Sequence, residues 1–448
     1  VSGEIPSSVP VADTGLESAN LAIQPGDDGE TPEQANANRL NGALRVIVGG
    51  GPALTVLSIL MALLAGAILM AATDSSVQAA AGYFFGRPSD TFAAIWNAVS
   101  GGYVAIFRGG IYNFEAPNFV VGIQSILGTP GQAGGTLGYA TPLIAAGLGV
   151  AVGFRSGVFN IGGQGQVLVG AALGGYVGFA WTLPYGVHMI VAILAAIIGG
   201  VIWAGIVGLL KAYTGAHEVV VTIMLNWIAY YGLDYLLHTT ILRAPGSQNP
   251  QSPAEKATAL LIPIAGPNFA LSFGFLLSIA ATIFCWWLLS RSSLGFKFRA
   301  VGENPRAARV AGISLNRMYI LVMIVSGGLI GLAASYQVLG NPSGTTGWGN
   351  SIDAGIGFSA ITVALLGRSR PWGVFAAGLL FGMLQAGSYD IQSDAGIDQN
   401  IVPVIQSVIV LFLAAPPLIR AIFHLPSPGS RPTKATTQAP NTKAVTAK

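Results

Sequence analysis

Charge is scarce in this chain. Asp, Glu, Lys and Arg together make up 9% of its 448 residues, where an average globular chain carries about 25%. So few charges cannot solvate the surface of a soluble fold. With 52% hydrophobic residues and a mean hydropathy of +0.63, the composition predicts a polytopic, all-α membrane protein. Cysteine is nearly absent: Cys285 stands alone, which excludes an internal disulfide and any C-x-x-C metal or redox site. The four histidines, His188, His217, His238 and His424, are scattered without paired Cys or acid and make no metal site. No G-x-x-x-x-G-K-[ST] run occurs. The glycine-rich stretch 344–349 lacks the lysine, so the chain does not cradle nucleotide phosphates itself. Nothing combines a nucleophile, a base and an orienting group, so an enzyme is not expected, no cofactor is expected in the chain, and nothing points to nucleic acid. No internal repeat is visible.

Long apolar runs are what the chain does have. A run of about 20 residues crosses a ~30 Å hydrocarbon core. Such runs lie at 47–72, 137–154, 163–183, 187–210, 218–237, 269–289, 318–339, 354–367, 372–387 and 401–422, giving about ten predicted transmembrane helices. The semi-apolar patch 91–107 is broken by Gly and polar residues and reads as a helix lying on the outer surface. The abundant glycine, 61 residues, suits close helix packing in lipid. Residues 1–44 and 425–448, rich in Pro, Ser and polar residues, read as disordered cytoplasmic tails, leaving 45–424 as the transmembrane domain.

The net charge of +3 says little, but its distribution orients the chain. With the long polar interval 291–317 placed inside, 17 of the 21 Lys and Arg fall on that side. Only Arg87, Arg108, Arg243 and Lys256 fall outside, so both termini are predicted inside. Asp390, Asp394 and Asp398 are expected to gather in one outer loop.

The interval 291–317 carries six basic residues and one acid, Glu303. It also has the punctuation of a short helix over 304–311. Asn304 can cap, Pro305 suits the first position, Ala307 and Ala308 propagate, and Gly312 can terminate in a left-handed turn. A second polar interval, 153–166, holds five glycines with Asn160, Gln164 and Gln166. Two readings fit it: a broken helix whose amides line a solute path, or an inner loop of turn residues. In the run 218–237, Asn226 and Tyr230 share a helix face beside Trp227. An amide with aromatic rings suits a neutral ring-bearing solute, and equally suits interhelical hydrogen bonding and an aromatic belt. Asp234 is the one acid well inside a predicted span and falls near its outer end.

These residues carry a resemblance. Phe154-Arg-Ser-Gly-Val-Phe-Asn-Ile-Gly-Gly-Gln-Gly-Gln166, His217-Glu-Val-Val-Val-Thr-Ile-Met-Leu-Asn-Trp227 and Arg299-Ala-Val-Gly-Glu-Asn-Pro-Arg-Ala-Ala-Arg-Val-Ala-Gly-Ile313 are similar to blocks of bacterial ABC importer permeases. The class is that of branched-chain amino acids and ribose, in its nucleoside and simple-sugar branch. The stretch Ala360-Ile-Thr-Val-Ala-Leu-Leu-Gly367 is a further match. Gln164 stands where that family usually has Glu.

The resemblance implies a permease subunit in the bacterial inner membrane. It also implies a separate ABC ATPase that uses ATP, a second and homologous permease, and an extracytoplasmic solute-binding lipoprotein. Carried over residue by residue, it implies a substrate path at Phe159, Asn160, Gln164, Gln166, Asn226, Trp227 and Tyr230. It implies ATPase coupling through Glu303, Asn304, Pro305, Arg306, Ala307, Ala308, Arg309 and Gly312, with Ala307, Ala308 and Val310 packing on the partner. Bulk at Ala308 or Gly312 is expected to break the coupling. A stand-alone secondary transporter or channel for a neutral solute is the alternative, and a membrane scaffold is a third reading.

Overall fold

A computed structural model describes residues 51–130, 134–266, 268–340, 343–415 and 422. The expected disordered tails lie outside the described residues. Among those described, the chain is helical throughout, with one isolated bridge between Pro263 and Ser272.

The helices run in order α1 (Gly51–Thr73), α2 (Ser75–Ala81), α3 (Pro88–Gly110), α4 (Phe119–Leu127), α5 (Thr136–Arg155), α6 (Gly163–Ala180), α7 (Val187–Thr214) and α8 (Glu218–His238). They continue with α9 (Phe273–Arg291), α10 (Ser293–Glu303), α11 (Pro305–Val310), α12 (Leu315–Leu339), α13 (Ser343–Thr346), α14 (Ile356–Leu366), α15 (Pro371–Ala395) and α16 (Ile401–Ala414). Seven of them, α1, α5, α7, α8, α9, α12 and α15, are long and apolar enough to cross a membrane. The other three expected spans are also helices: α6, whose first turn carries Gln164 and Gln166, and the shorter apolar α14 and α16.

Helices α5 and α12 form the centre and are buried along most of their length, while α1 and α8 are peripheral. Small residues set the central crossings. A Cβ on Gly200 of α7 would run into the carbonyl of Gly327 on α12, and the reverse holds for Gly327 against Gly200. Lipid supplies no hydrophobic force between helices, so this close backbone approach and its van der Waals contact hold the bundle.

Three expectations need correction. The patch 91–107 is part of a longer helix, α3, which packs along α15 through Gly110 against Met383 and Gly387 against Ile106. Helix α15 runs about two turns past the expected end of its span. Asp390 and Asp394 therefore belong to a helix rather than a loop, and only Asp398 lies beyond its end. The helix continues because α3 gives its distal turns a packing surface, until Gly396 closes it in the left-handed conformation at φ 65°. In the basic interval, the expected short helix is preceded by a second one, α10, which buries Gly295, Phe298 and Val301.

Candidate functional site

At the basic end, α11 forms as its residues dictate. The Asn304 side chain accepts from the Ala307 N–H at 3.1 Å, Pro305 takes the first position, and Gly312 follows at φ 81°. Glu303 is the last residue of α10. Arg306, Ala307 and Arg309 are exposed, and Val310 is 90% exposed. Ala308 is not part of this outer surface: it is buried against the chain's own core. The free apolar face is therefore Ala307, Val310 and Ala311, and bulk at Ala308 would disturb the seating of α11. Gly312 meets nothing beside it, so its role is the turn. Helix α10 is keyed to the α5–α6 turn. Gly157, at φ 70°, lies against Gly302, and a Cβ there would sit 3.2 Å from the Gly302 Cα.

That turn leads into a closed amide network. Asn160 is fully buried. Its Nδ2 donates to Gln166 Oε1 at 3.1 Å and to Ser326 Oγ of α12 at 2.8 Å. Its Oδ1 accepts from the Gly162 N–H and from Gln166 Nε2, each at 3.0 Å. Ser326 passes its own proton to the Gly149 carbonyl at 2.7 Å. Asn226 of α8 accepts from the Gly165 N–H at 2.9 Å and donates to the Ile161 carbonyl at 3.0 Å. A helix start leaves its first N–H groups without intrahelical partners. Asn226 supplies the cap that α6 lacks in its own sequence.

The residues expected to line a solute path take different surroundings in the single chain. Asn160 and Asn226 satisfy the broken backbone, and Gln166 is bonded to Asn160. Gln164 is half-buried where Gly357 of α14 presses on its backbone. Phe159 and Trp227 are more than half exposed on the bundle's exterior. The Tyr230 hydroxyl accepts from Asn350 Nδ2 at 3.2 Å, and the same amide donates to Asp234 at 3.0 Å, pinning the loop before α14 to α8.

Two cavities lie among other helices. An inner chamber of about 130 Å³ is lined by Tyr139, Tyr336, Gln337, Gln385, Tyr389 and Gln406, from α5, α12, α15 and α16. Next to it, a vestibule of about 530 Å³ is lined by Asn113, Gln124, Ser125 and Asp390. Tyr139 and Tyr389 line both, and their rings stack with centroids 6.1 Å apart. The stack stands between the two spaces. Gln337 Nε2 is engaged by the Ile352 carbonyl at 3.0 Å. The inner lining presents amides and phenols with no charged group, chemistry suited to a neutral polar ring. Nothing local in the sequence marks Gln385 or Gln406, which become neighbours of Tyr139 only through helix packing.

At the end opposite the basic loops, the segment before α9 locks onto the segment after α12. Trp348 Nε1 donates to Glu255 Oε1 at 2.9 Å, and Ser252 and Trp348 exchange further bonds at 2.8 and 3.0 Å. The second carboxyl oxygen of Glu255 is buried without a partner among the described residues. Burial pushes this carboxyl up from 4.5 to about 8, and the Trp348 bond opposes only part of that rise. The unfolded chain releases the proton near 4.5, while the folded chain holds it to about 8. Stability should therefore fall as pH rises between these values and level off above. Thermal unfolding of the full chain across that range should show this slope, and Glu255→Gln should remove it. An unchanged slope in Glu255→Gln would assign the effect to another group.

A family model described as the branched-chain amino acid transport system / permease component matches residues 132–414. The guanosine ABC transporter permease protein NupP of Bacillus subtilis is 31% identical over 82% of this chain and 94% of its own length. The glucose ABC transporter permease protein TsgB13 of Haloferax volcanii is 34% identical over 61% of this chain and 73% of its own. The nucleoside ABC transporter permease protein NupB of Lactococcus lactis is 34% identical over 65% and 81%. No solved structure matches the chain.

Proposed function

The chain belongs to the branched-chain amino acid transport system / permease component family, and we propose that it forms the solute path of an ATP-driven importer for nucleosides or simple sugars. The carrying observation is the two-part cavity, whose inner lining offers aromatic faces and amides and no charge. Nucleosides are the favoured cargo, because stacked phenols recognise a flat ring and glutamines its polar edge. Similarity to permeases named for guanosine, nucleosides and glucose supports the same range.

Ligand pockets usually span roughly 300–1,000 Å³. At about 130 Å³ the inner chamber is too small for a nucleoside, whereas the vestibule at about 530 Å³ is not. Entry therefore requires the Tyr139–Tyr389 stack to part. The work comes from a separate ABC ATPase that consumes ATP and grips α11. A second, homologous permease completes the membrane unit, and an extracytoplasmic lipoprotein delivers solute to the vestibule. The assembly sits in the bacterial inner membrane.

Uptake of labelled guanosine and labelled glucose by cells expressing the complete importer tests the reading. Gln385→Ala removes one chamber hydrogen bond to the solute, worth about 0.5–1.5 kcal/mol, so uptake at limiting solute should fall roughly two- to thirteenfold. Wild-type uptake of neither solute would overturn the cargo class. Full uptake by Gln385→Ala would move recognition away from this chamber.

A further inference from the structure

A further cavity, of about 320 Å³, opens at the basic end of the bundle. It has no part in the solute path described above. Three arginines converge on it from separate parts of the chain: Arg155 at the end of α5, Arg299 in α10 and Arg370 just before α15. Trp286 and Leu289 of α9 and Trp372 of α15 add apolar wall, and among the described residues no carboxylate lines it. Arg155 is held by an Nε bond to the Ser369 carbonyl at 3.1 Å, and Arg299 donates to the Leu289 carbonyl. Both bonds go to neutral backbone oxygens. Among the described residues none of the three forms an ion pair. Arg155 feels the like charges of Arg370 and Arg299, opposed by the charge of Glu303.

Three gathered guanidinium groups repel one another, and among the described residues no carboxylate lines the cavity. Guanidinium forks match phosphate oxygens in geometry and charge. The position narrows the source. Trp286 and Trp372 are both exposed on the bundle's exterior, Trp372 to 51%, and tryptophan prefers the headgroup level of a bilayer. Basic pockets between spanning helices on the cytoplasmic side are the places where anionic headgroups bind. Arg291 lies over the outer face of Trp286 at 6.0 Å and adds a fourth positive charge at the rim.

We propose that this cavity binds a phosphate-bearing anion, supplied by the headgroup of an anionic phospholipid whose acyl chains run along the exposed Trp286 and Trp372. A lipid seated there would tie α10, and through it α11, to α5 and α15. It would brace the segment that faces the ATPase against the bundle.

Thermal unfolding of the purified full chain, in micelles supplemented with phosphatidylglycerol, phosphatidylcholine or inorganic phosphate at fixed ionic strength, tests this. Phosphatidylglycerol should raise the midpoint, and phosphatidylcholine should not. Arg299→Gln/Arg370→Gln should lose that rise, while the charge-matched Lys297→Gln/Arg317→Gln should keep it. Native mass spectrometry should find phosphatidylglycerol retained at least tenfold less by the first variant. Should the double variant fold poorly, Arg370→Gln alone alters an exposed side chain and should still weaken retention several-fold. Equal rises with both lipids, or full retention by Arg370→Gln and the double variant, would overturn the site. A rise with inorganic phosphate equal to that with phosphatidylglycerol would overturn the lipid as its source.

Discussion

Val310→Asp should reduce ATP-driven uptake by about a hundredfold or more, to background, while the chain still inserts and its unfolding midpoint is unchanged. Val310 is 90% exposed and stands with Ala307 and Ala311 on the outward face of α11. In the proposed importer that face is where the ATPase would grip. Burying a valine side chain is worth about 1.5–3 kcal/mol. An unpaired carboxylate in its place adds a desolvation cost of several kcal/mol. About 3 kcal/mol is already a hundredfold in an equilibrium constant. Arg306→Ala and Arg309→Ala should do far less, because solvated ion pairs contribute about 0–1 kcal/mol. ATP hydrolysis measured alongside uptake separates loss of docking from loss of transport. Near-normal uptake by Val310→Asp would show that α11 does not carry the coupling.

Asn160→Ala should produce the largest loss of stability, on the order of 3–5 kcal/mol. The substitution leaves the Gly162 N–H, the Gln166 amide and one lone-pair site of Ser326 unpaired in a buried setting. Each orphaned buried group costs about 1–3 kcal/mol. Asn160→Asp should not rescue, since the carboxylate cannot donate to Ser326 Oγ or Gln166 Oε1. The chain provides its own probe: Cys285 is its single thiol and is fully buried. Thiol-reactive dye labelling during heating therefore reports unfolding directly. A midpoint within about a degree of wild type would mean that water replaces the lost bonds and that the network is not structural.

Much of the architecture is legible in the sequence. Ten apolar runs became helices because lipid offers no partner to an open N–H or C=O, so each run must satisfy itself. The cap of α11 was legible because Asn304, Pro305 and Gly312 act within a single turn. The end of α15 was misplaced although its terminator, Gly396, was in plain view. The polar residues at 390–394 suggest a loop, whereas α3 packs beside the helix at Asp390 and the helix continues. Asn160 and Asn226 drew attention for being polar among apolar neighbours. Their partners, Ser326 and the backbone around Gly165, lie 166 and 61 residues away.

The sequence by itself determined the class of molecule, most of its helical segments and the short capped helix of the basic interval. These are consequences of composition and of interactions within a turn or two of chain. Only the tertiary structure decided which side chains meet. It joined Asn160 and Gln166 in one buried network. It brought Tyr139, Gln385 and Gln406 around one chamber and gathered Arg155, Arg299 and Arg370 around another. It also turned Ala308 into the core while leaving Val310 free. Convergence of this kind depends on which glycines let which helices touch, and helix packing is fixed by contacts between residues far apart in the chain.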